Sequence, residues 1–290
     1  MKYKQLIFDP EKKDRLKDFD PAYCGDYKDK DDAQDDLKKG VKKLSELQEK
    51  LYASDRHALL IIFQAMDAAG KDGTIKHVMS GVNPQGCQVK SFKVPSAEEM
   101  DHDYLWRCNK ALPERGNIGI FNRSYYEEVL VVRVHENYLL DEKVPQLEKK
   151  LKDGKIWKER YTQINHYERY LTENGTRVLK FFLNVSKEEQ KQRFLDRLND
   201  PSKNWKFSLR DCKERQYWNE YMRAYEEMLI HTSTREAPWF VIPADHKWFM
   251  RAAVCQIIVD QLNAMGLKFP VLSTEMQAEL EEAKKMLNAE

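Results

Sequence analysis

Five short apolar runs, rich in β-branched and aromatic residues, constrain this chain more than any other feature. They are ALLIIFQA (58–65), CQVKSFKV (87–94), NIGIFN (117–122), RVLKFFLNV (177–185) and PWFVIP (238–243). Helical patterns lie between them at 124–130, 158–173, 187–198 and 208–232, and two more follow at about 246–265 and 274–288. Strands alternating with helices of that length predict parallel βαβ units covered on both faces. The near-continuous apolar character of the runs suits buried central strands. The fold class is therefore α/β with a central parallel sheet. Upstream, Leu37, Val41, Leu44, Leu47 and Leu51 step by four, three, three and four, one face of an amphipathic helix. The domain reading is an N-terminal arm, extended over the domain surface, and an amphipathic helix packed on the core (1–57), one α/β domain (58–270) and a C-terminal helix (271–290).

Charge and composition remove several functions. With 49 basic and 48 acidic residues the net charge is +1, which argues against DNA or RNA as a partner unless the basic residues are segregated. A hydrophobic fraction of 41% with so little net charge excludes a disordered chain. The five cysteines (Cys24, Cys87, Cys108, Cys212 and Cys255) contain no C-x-x-C pair and read as reduced thiols of a cytoplasmic protein. No apolar run approaches the roughly 20 residues that span a bilayer, and the N-terminus has no signal-peptide core. The expectation is a soluble intracellular protein without a membrane partner.

The first strand runs straight into Ala65-Met66-Asp67-Ala68-Ala69-Gly70-Lys71-Asp72-Gly73-Thr74 and then into a helical pattern. Against the phosphate-loop pattern G-x-x-x-x-G-K-[ST], the Gly-Lys pair is present, Ala65 replaces the first glycine and Asp72 the hydroxyl residue. Such a loop wraps phosphate oxygens with backbone N–H groups, backed by a helix N-terminus and one lysine. Gly70 permits the close approach, Lys71 supplies the charge, and Thr74 could offer the hydroxyl that position 72 lacks. The third strand ends in Asn122-Arg123. That is where a phosphate-loop enzyme keeps its metal-orienting aspartate, and it lies at the sheet edge where open α/β folds bind ligands. The charge segregation is local: residues 187–215 hold nine basic and six acidic residues around the breaker-rich DPSKNWKFS. Helix, basic loop and helix form the build of a mobile lid over a polyanion.

AMDAAGKDG, GVNPQG (81–86), LPERGNIGIFNRSYYEEVLVVRVH (112–135), DPSKNWKFS (200–208) and APWFVIPADHKWFMR (237–251) resemble, in order over roughly residues 30–270, the polyphosphate kinase 2 family. The resemblance implies a three-layer, thymidylate-kinase-like P-loop fold with a helical lid at about 187–215 and helical additions at both ends. It also implies Mg2+-dependent, reversible transfer of the terminal phosphoryl group of inorganic polyphosphate to AMP and ADP. Mn2+ is an alternative metal, guanine nucleotides are further acceptors, and the assembly is a homo-oligomer, dimer or tetramer. The phrase FNRSYYEEVLVVRVH is most similar to the subgroup acting on AMP and ADP.

Carried over by residue, the resemblance places Asp67, Lys71, Asn122 and Arg123 in the chemistry, with Asp67 as metal ligand. Ala68, Ala69, Gly70, Asp72, Gly73 and Thr74 would bind phosphate. Asn83, Arg107 and Arg133 would hold the nucleotide, with Glu128 either reaching the site or pairing structurally. Arg193, Arg197, Lys203, Lys206 and Arg210 would grip polyphosphate from the lid. Asn122 departs from the wider family's aspartate and shifts the metal burden to Asp67. Two other readings remain at this point: a nucleoside monophosphate kinase using ATP as donor, and a non-catalytic polyphosphate-binding module, suggested by the departures at Ala65, Asp72 and Asn122.

Overall fold

The computed structural model describes residues 3–290, apart from the side chain of Lys206. In chain order the elements are α1 (Lys30–Ser54), β1 (Ala58–Ala65), α2 (Lys71–Val78), β2 (Cys87–Ser91), α3 (Ala97–Met100), α4 (Trp106–Asn109), β3 (Ile118–Asn122), α5 (Val131–Val134), α6 (Leu147–Lys152) and α7 (Lys155–Glu173). Then come β4 (Thr176–Asn184), α8 (Lys187–Asn199), α9 (Leu209–Glu214), α10 (Trp218–Thr232), β5 (Trp239–Pro243), α11 (Lys247–Ala264) and α12 (Thr274–Leu287).

The five expected strands form one sheet in the order β2-β3-β1-β4-β5. Every pairing is parallel, with Phe63 opposite both Asn122 and Phe181. All eight residues of β1 are buried, as its unbroken apolar run predicts. Helices α1, α2 and α11 pack together on one side, and α7 and α10 on the other. This is the three-layer α/β architecture expected for a phosphate-loop kinase. From β1 the chain passes to β2 and β3 on one side and then crosses to β4 and β5 on the other, so the strand order reverses at the carboxyl end of β1. Open sheets place their ligands at such a point.

Two helical stretches differ from expectation. Residues 124–130 make a 3-10 turn (Tyr125–Val129), started by Ser124, whose Oγ accepts from Tyr126 N at 3.1 Å. Residues 208–232 break at a 3-10 turn (Arg215–Tyr217) because Arg215 donates to the Lys187 carbonyl at 3.1 Å and to Gln190 Oε1 at 2.5 Å, tying the turn to α8. The N-terminal arm is held more firmly than an extended surface segment. Tyr3, Leu6 and Phe8 are buried, Phe8 N donates to the Trp239 carbonyl at 2.9 Å, and Ile7 bridges Phe240, so the arm covers the edge of β5.

A charged pair sits inside the core, Lys180 with Glu168. Lys180 on β4 is fully buried and donates to Glu168 Oε2 at 2.6 Å, the Thr232 carbonyl at 2.7 Å and Tyr126 Oη at 2.9 Å. These three bonds satisfy the ammonium where water cannot. At the other extreme, α12 buries no residue. Among the described residues, no helix is long and apolar enough to cross a membrane.

Candidate active site

The loop after β1 carries two residues in left-handed backbone, Ala68 (φ 60°) and Gly70 (φ 112°). The left-handed backbone favours glycine at 70, and a Cβ there would also press on Met250 Cε at 3.0 Å. The loop opens into α2, whose first-turn N–H groups are free to meet an anion. Lys71 curls back so that Nζ donates to the Ala65 carbonyl at 2.9 Å. Burial, reinforced by the Arg123 charge, pushes its ammonium down to about 8 against the upward pull of Asp67, Glu127 and Asp72. Thr74 does not offer its hydroxyl to the loop. It is fully buried in α2, and Oγ1 donates to the Gly70 carbonyl at 3.0 Å.

Strand β3 delivers Asn122 and Arg123 beside this loop. Asn122 Nδ2 donates to Asp72 Oδ1 at 2.7 Å, so the asparagine holds the carboxylate that replaces the usual loop hydroxyl. Arg123 has φ 65°, an outlier of the kind stored at functional sites at about 1–3 kcal/mol. It donates through Nη2 to Asp67 Oδ1 at 2.8 Å and pairs through Nη1 with Glu127 Oε2 at 3.5 Å. Glu127, and after it Asp67, hold the guanidinium firmly protonated.

Asp67, Arg123 and Glu127 line a cavity of about 670 Å³. Phe92, Val94, Pro95, Met100, Tyr104, Val131 and Val132 form much of its wall, a surface suited to a flat heterocycle. Arg107 also lines it, lying 5.4 Å over the Phe92 ring and donating to the Lys93 carbonyl at 2.8 Å. Glu128 lines the cavity and also pairs structurally, accepting from Arg160 Nε at 2.7 Å. Burial and the Glu128 charge raise the Glu142 carboxyl to about 8, and burial and then Asp67 raise that of Asp211.

Eight carboxylates line this cavity against four lysine and arginine side chains and one histidine. Among the described residues no cluster of three or more His, Cys, Asp or Glu is placed to hold a metal unaided. Magnesium needs no such cluster, since one or two carboxylates with substrate phosphates and water suffice. Asp67, with Oδ1 held by Arg123, keeps its second oxygen for that purpose, and the surplus of carboxylates fits a divalent cation.

Several expected contacts are corrected by the geometry. Asn83 is exposed, with Oδ1 accepting from Gln85 N at 3.0 Å, and does not line the cavity. Arg133 points away into a structural cluster, donating to Tyr161 Oη at 2.5 Å, pairing with Glu227 and lying 5.4 Å over the Trp157 ring. Arg193 is not a lid cation facing solvent. It is 4% exposed, and all five of its N–H groups are taken. Nε donates to Glu189 Oε1 (2.7 Å), Nη1 to the carbonyls of Ala68 (3.1 Å) and Ala69 (2.7 Å), and Nη2 to those of Ala244 (2.5 Å) and Asp245 (3.1 Å). Lys203 is in an exposed pair with Asp200 at 2.6 Å, Arg197 stacks 5.5 Å from the Phe194 ring, and the Lys206 side chain lies outside the described residues. Arg210 does line the cavity, donating to Tyr138 Oη at 3.0 Å.

Sequence reasoning missed Glu127 and Gln190. Glu127 stands four residues after Arg123, a spacing at which opposite charges meet on a helical turn, so its role was readable. Gln190 donates to the Asp67 carbonyl at 2.9 Å from 123 residues away, and nothing local announces it.

Comparisons with known proteins give the chain's family. The family model described as polyphosphate kinase 2 matches residues 27–270. The chain is 52% identical over 261 residues to an ADP-polyphosphate phosphotransferase of Rhodopseudomonas palustris, covering 90% of each. It is 42% identical over 268 residues to an AMP/ADP-polyphosphate phosphotransferase of Meiothermus ruber, covering 92% of this chain and 95% of that one. Polyphosphate kinase 2 from Arthrobacter aurescens TC1 superposes with a TM-score of 0.84 at 40% identity, over 96% of this chain and 98% of the other.

Proposed function

The chain belongs to the polyphosphate kinase 2 family, and from that premise we propose that it transfers the terminal phosphoryl group of inorganic polyphosphate to AMP and ADP, in either direction. One observation carries the reading: Arg123, directly after β3, reaches Asp67 of the phosphate loop at 2.8 Å, and both line a cavity large enough for a nucleotide. The names of its relatives support polyphosphate as donor, and they divide among ADP, AMP with ADP, and AMP as acceptors.

The acceptor is already an anion, so the chemistry asks for positioning and charge neutralisation rather than a strong base. The α2 amides and Lys71 hold the terminal phosphates of the donor. Phe92 and the apolar wall hold the base, with Arg107 behind Phe92. Arg123 lies between the loop and the cavity, where charge builds on the transferred group, and Asp67 and Glu127 fix its orientation. Asp67 would hold Mg2+, which when bound supplies further neutralisation of the phosphate oxygens. Mn2+ would serve in its place, and guanine nucleotides would enter the same cavity. A cytoplasmic homo-oligomer, dimer or tetramer, accompanies this reading. Its support is α12, where Met276, Leu280 and Leu287 are all exposed.

The test is purified protein with polyphosphate, Mg2+ and AMP or ADP, with ADP and ATP measured. Polyphosphate alone should drive both products, and Asp67→Asn should cut turnover by about 10²-fold or more. Product that appears only when a nucleoside triphosphate is supplied would install the monophosphate-kinase reading. Binding without turnover would leave a module.

A further inference from the structure

Two carboxyls on the wall of the nucleotide cavity share one guanidinium. Glu128, in the 3-10 turn after β3, and Glu142, shortly before α6, both line the cavity. Arg160 of α7 donates through Nε to Glu128 Oε1 at 2.7 Å and through Nη2 to Glu142 Oε2 at 3.1 Å. Its Nη1 donates to Gln163 Oε1 at 3.2 Å, and its guanidinium lies 4.4 Å over the Tyr104 ring. Arg160 is buried behind the wall, so the carboxyls and Tyr104 are what a ligand meets.

One positive charge between two carboxyls leaves the trio at −1 when both are ionised, which burial disfavours. Burial, and then the Glu128 charge, outweighs Arg160 and raises the Glu142 carboxyl to about 8. At neutral pH Glu142 therefore keeps its proton and presents one O–H donor beside one acceptor oxygen. The other groups nearby leave that balance alone. Burial keeps the Tyr104 hydroxyl neutral, Asp141 adds negative charge to the same wall, and Lys143 turns away to Asp101 at 2.9 Å. His102 lines the cavity with its ring stacked on Trp106 at 3.8 Å.

The phosphates of a nucleotide have Lys71 and Arg123 to meet, and the base is the part that a donor beside an acceptor can read. The adenine edge sets the N1 acceptor next to the 6-amino donor, so it needs a donor and an acceptor together. The guanine edge sets N1–H next to the 2-amino group, two donors that suit the two oxygens of a carboxylate. A carboxylate against adenine N1 would bring two acceptors face to face and leave both unpaired.

We propose that Glu142, clamped with Glu128 on Arg160, selects the base of the acceptor nucleotide, as a carboxyl for adenine and as a carboxylate for guanine. The inference deepens the functional reading above and rests on it. No group-transfer step involves these residues, which act by pairing with the base.

The experiment measures kcat/KM for AMP against GMP, and for ADP against GDP, with polyphosphate as donor from about pH 6.5 to about pH 9. The adenine-to-guanine ratio cancels Lys71 and every other group that serves the donor. In wild type the ratio should fall about tenfold toward pH 9, because a carboxyl titrating near 8 is then about nine-tenths ionised. Glu142→Gln keeps a donor and an acceptor but cannot ionise, so adenine should remain a substrate and the ratio should stay level. Poor folding of that variant would lower both acceptors together, and the wild-type ratio needs no variant at all. A wild-type ratio independent of pH, a Glu142→Gln ratio that still falls, or no guanine product at any pH would overturn this inference alone. So would a Glu142→Gln defect seen with AMP and absent with 2′-deoxy-AMP, which would place the carboxyl on the ribose. An enzyme that phosphorylates no nucleotide from polyphosphate would overturn the functional reading and this inference with it.

Discussion

Replacing Arg193 by methionine separates a lid cation from a structural clamp. The guanidinium joins two loops, accepted by the carbonyls of Ala68 and Ala69 in the phosphate loop and those of Ala244 and Asp245 after β5. Hydrogen bonds to a charged donor contribute about 1.5–3 kcal/mol each, and they are not additive when one side chain makes all five. Removing a buried charge whose bonds hold two loops together costs about 3–5 kcal/mol, a better guide to the whole than summing its bonds. At about 2–4 °C per kcal/mol for a large domain, Arg193→Met should lower Tm by about 6–20 °C. The released loop should also misplace its amides, and kcat/KM for polyphosphate should fall by about 10²-fold at a temperature where the variant is still folded. Differential scanning calorimetry with steady-state kinetics reads both, with Arg197→Met as the comparison, whose Tm should hold. If Arg193→Met melts with wild type and only the KM for polyphosphate rises, Arg193 is a lid cation after all and the clamp argument is wrong.

Three further outcomes follow from the same geometry. Lys71 must be protonated to hold phosphate, and its ammonium is pushed down to about 8, so kcat/KM for polyphosphate should fall as pH rises through about 8; a profile flat beyond about pH 9 would refute the assignment. Asn122→Asp removes the donor that holds Asp72 and sets two carboxylates face to face, so activity should drop about tenfold at low Mg2+ and recover as Mg2+ is raised. Loss that persists across the whole titration would show that the amide itself is required. Glu168→Gln deprives the buried Lys180 of its counter-charge and should destabilise the fold by about 3–5 kcal/mol in a denaturant titration, more than the double replacement Glu168→Leu with Lys180→Met.

The local signals in this chain were strong where they were repetitive or dense. The apolar runs of β1 to β5 are legible because a strand buried on both faces must be apolar at every position, as the wholly buried β1 is. The phosphate loop is legible because Gly70 and Lys71 sit at a strand-to-helix junction, and Arg123 because it follows an apolar strand directly. Helix faces were not legible from cation spacing alone. Arg193 and Arg197, four residues apart on α8, read identically in sequence, yet one is sealed under the phosphate loop and the other is partly open to solvent. Which way a cation points depends on what packs against its helix, and here that is the backbone of residues 68–69 and 244–245, far away along the chain. The same holds for Arg133, drawn off by Tyr161 and Glu227. A second concavity is the extreme case, since the Lys30 and His77 that line it lie far along the chain from the helical pair Lys247 and Arg251 that they face. The chain's own pattern determined the sheet, the loop and the residues at the strand ends. Only the packing of helices over that sheet decided which charges were left facing a phosphate chain, because burial and pairing are properties of neighbours rather than of spacing.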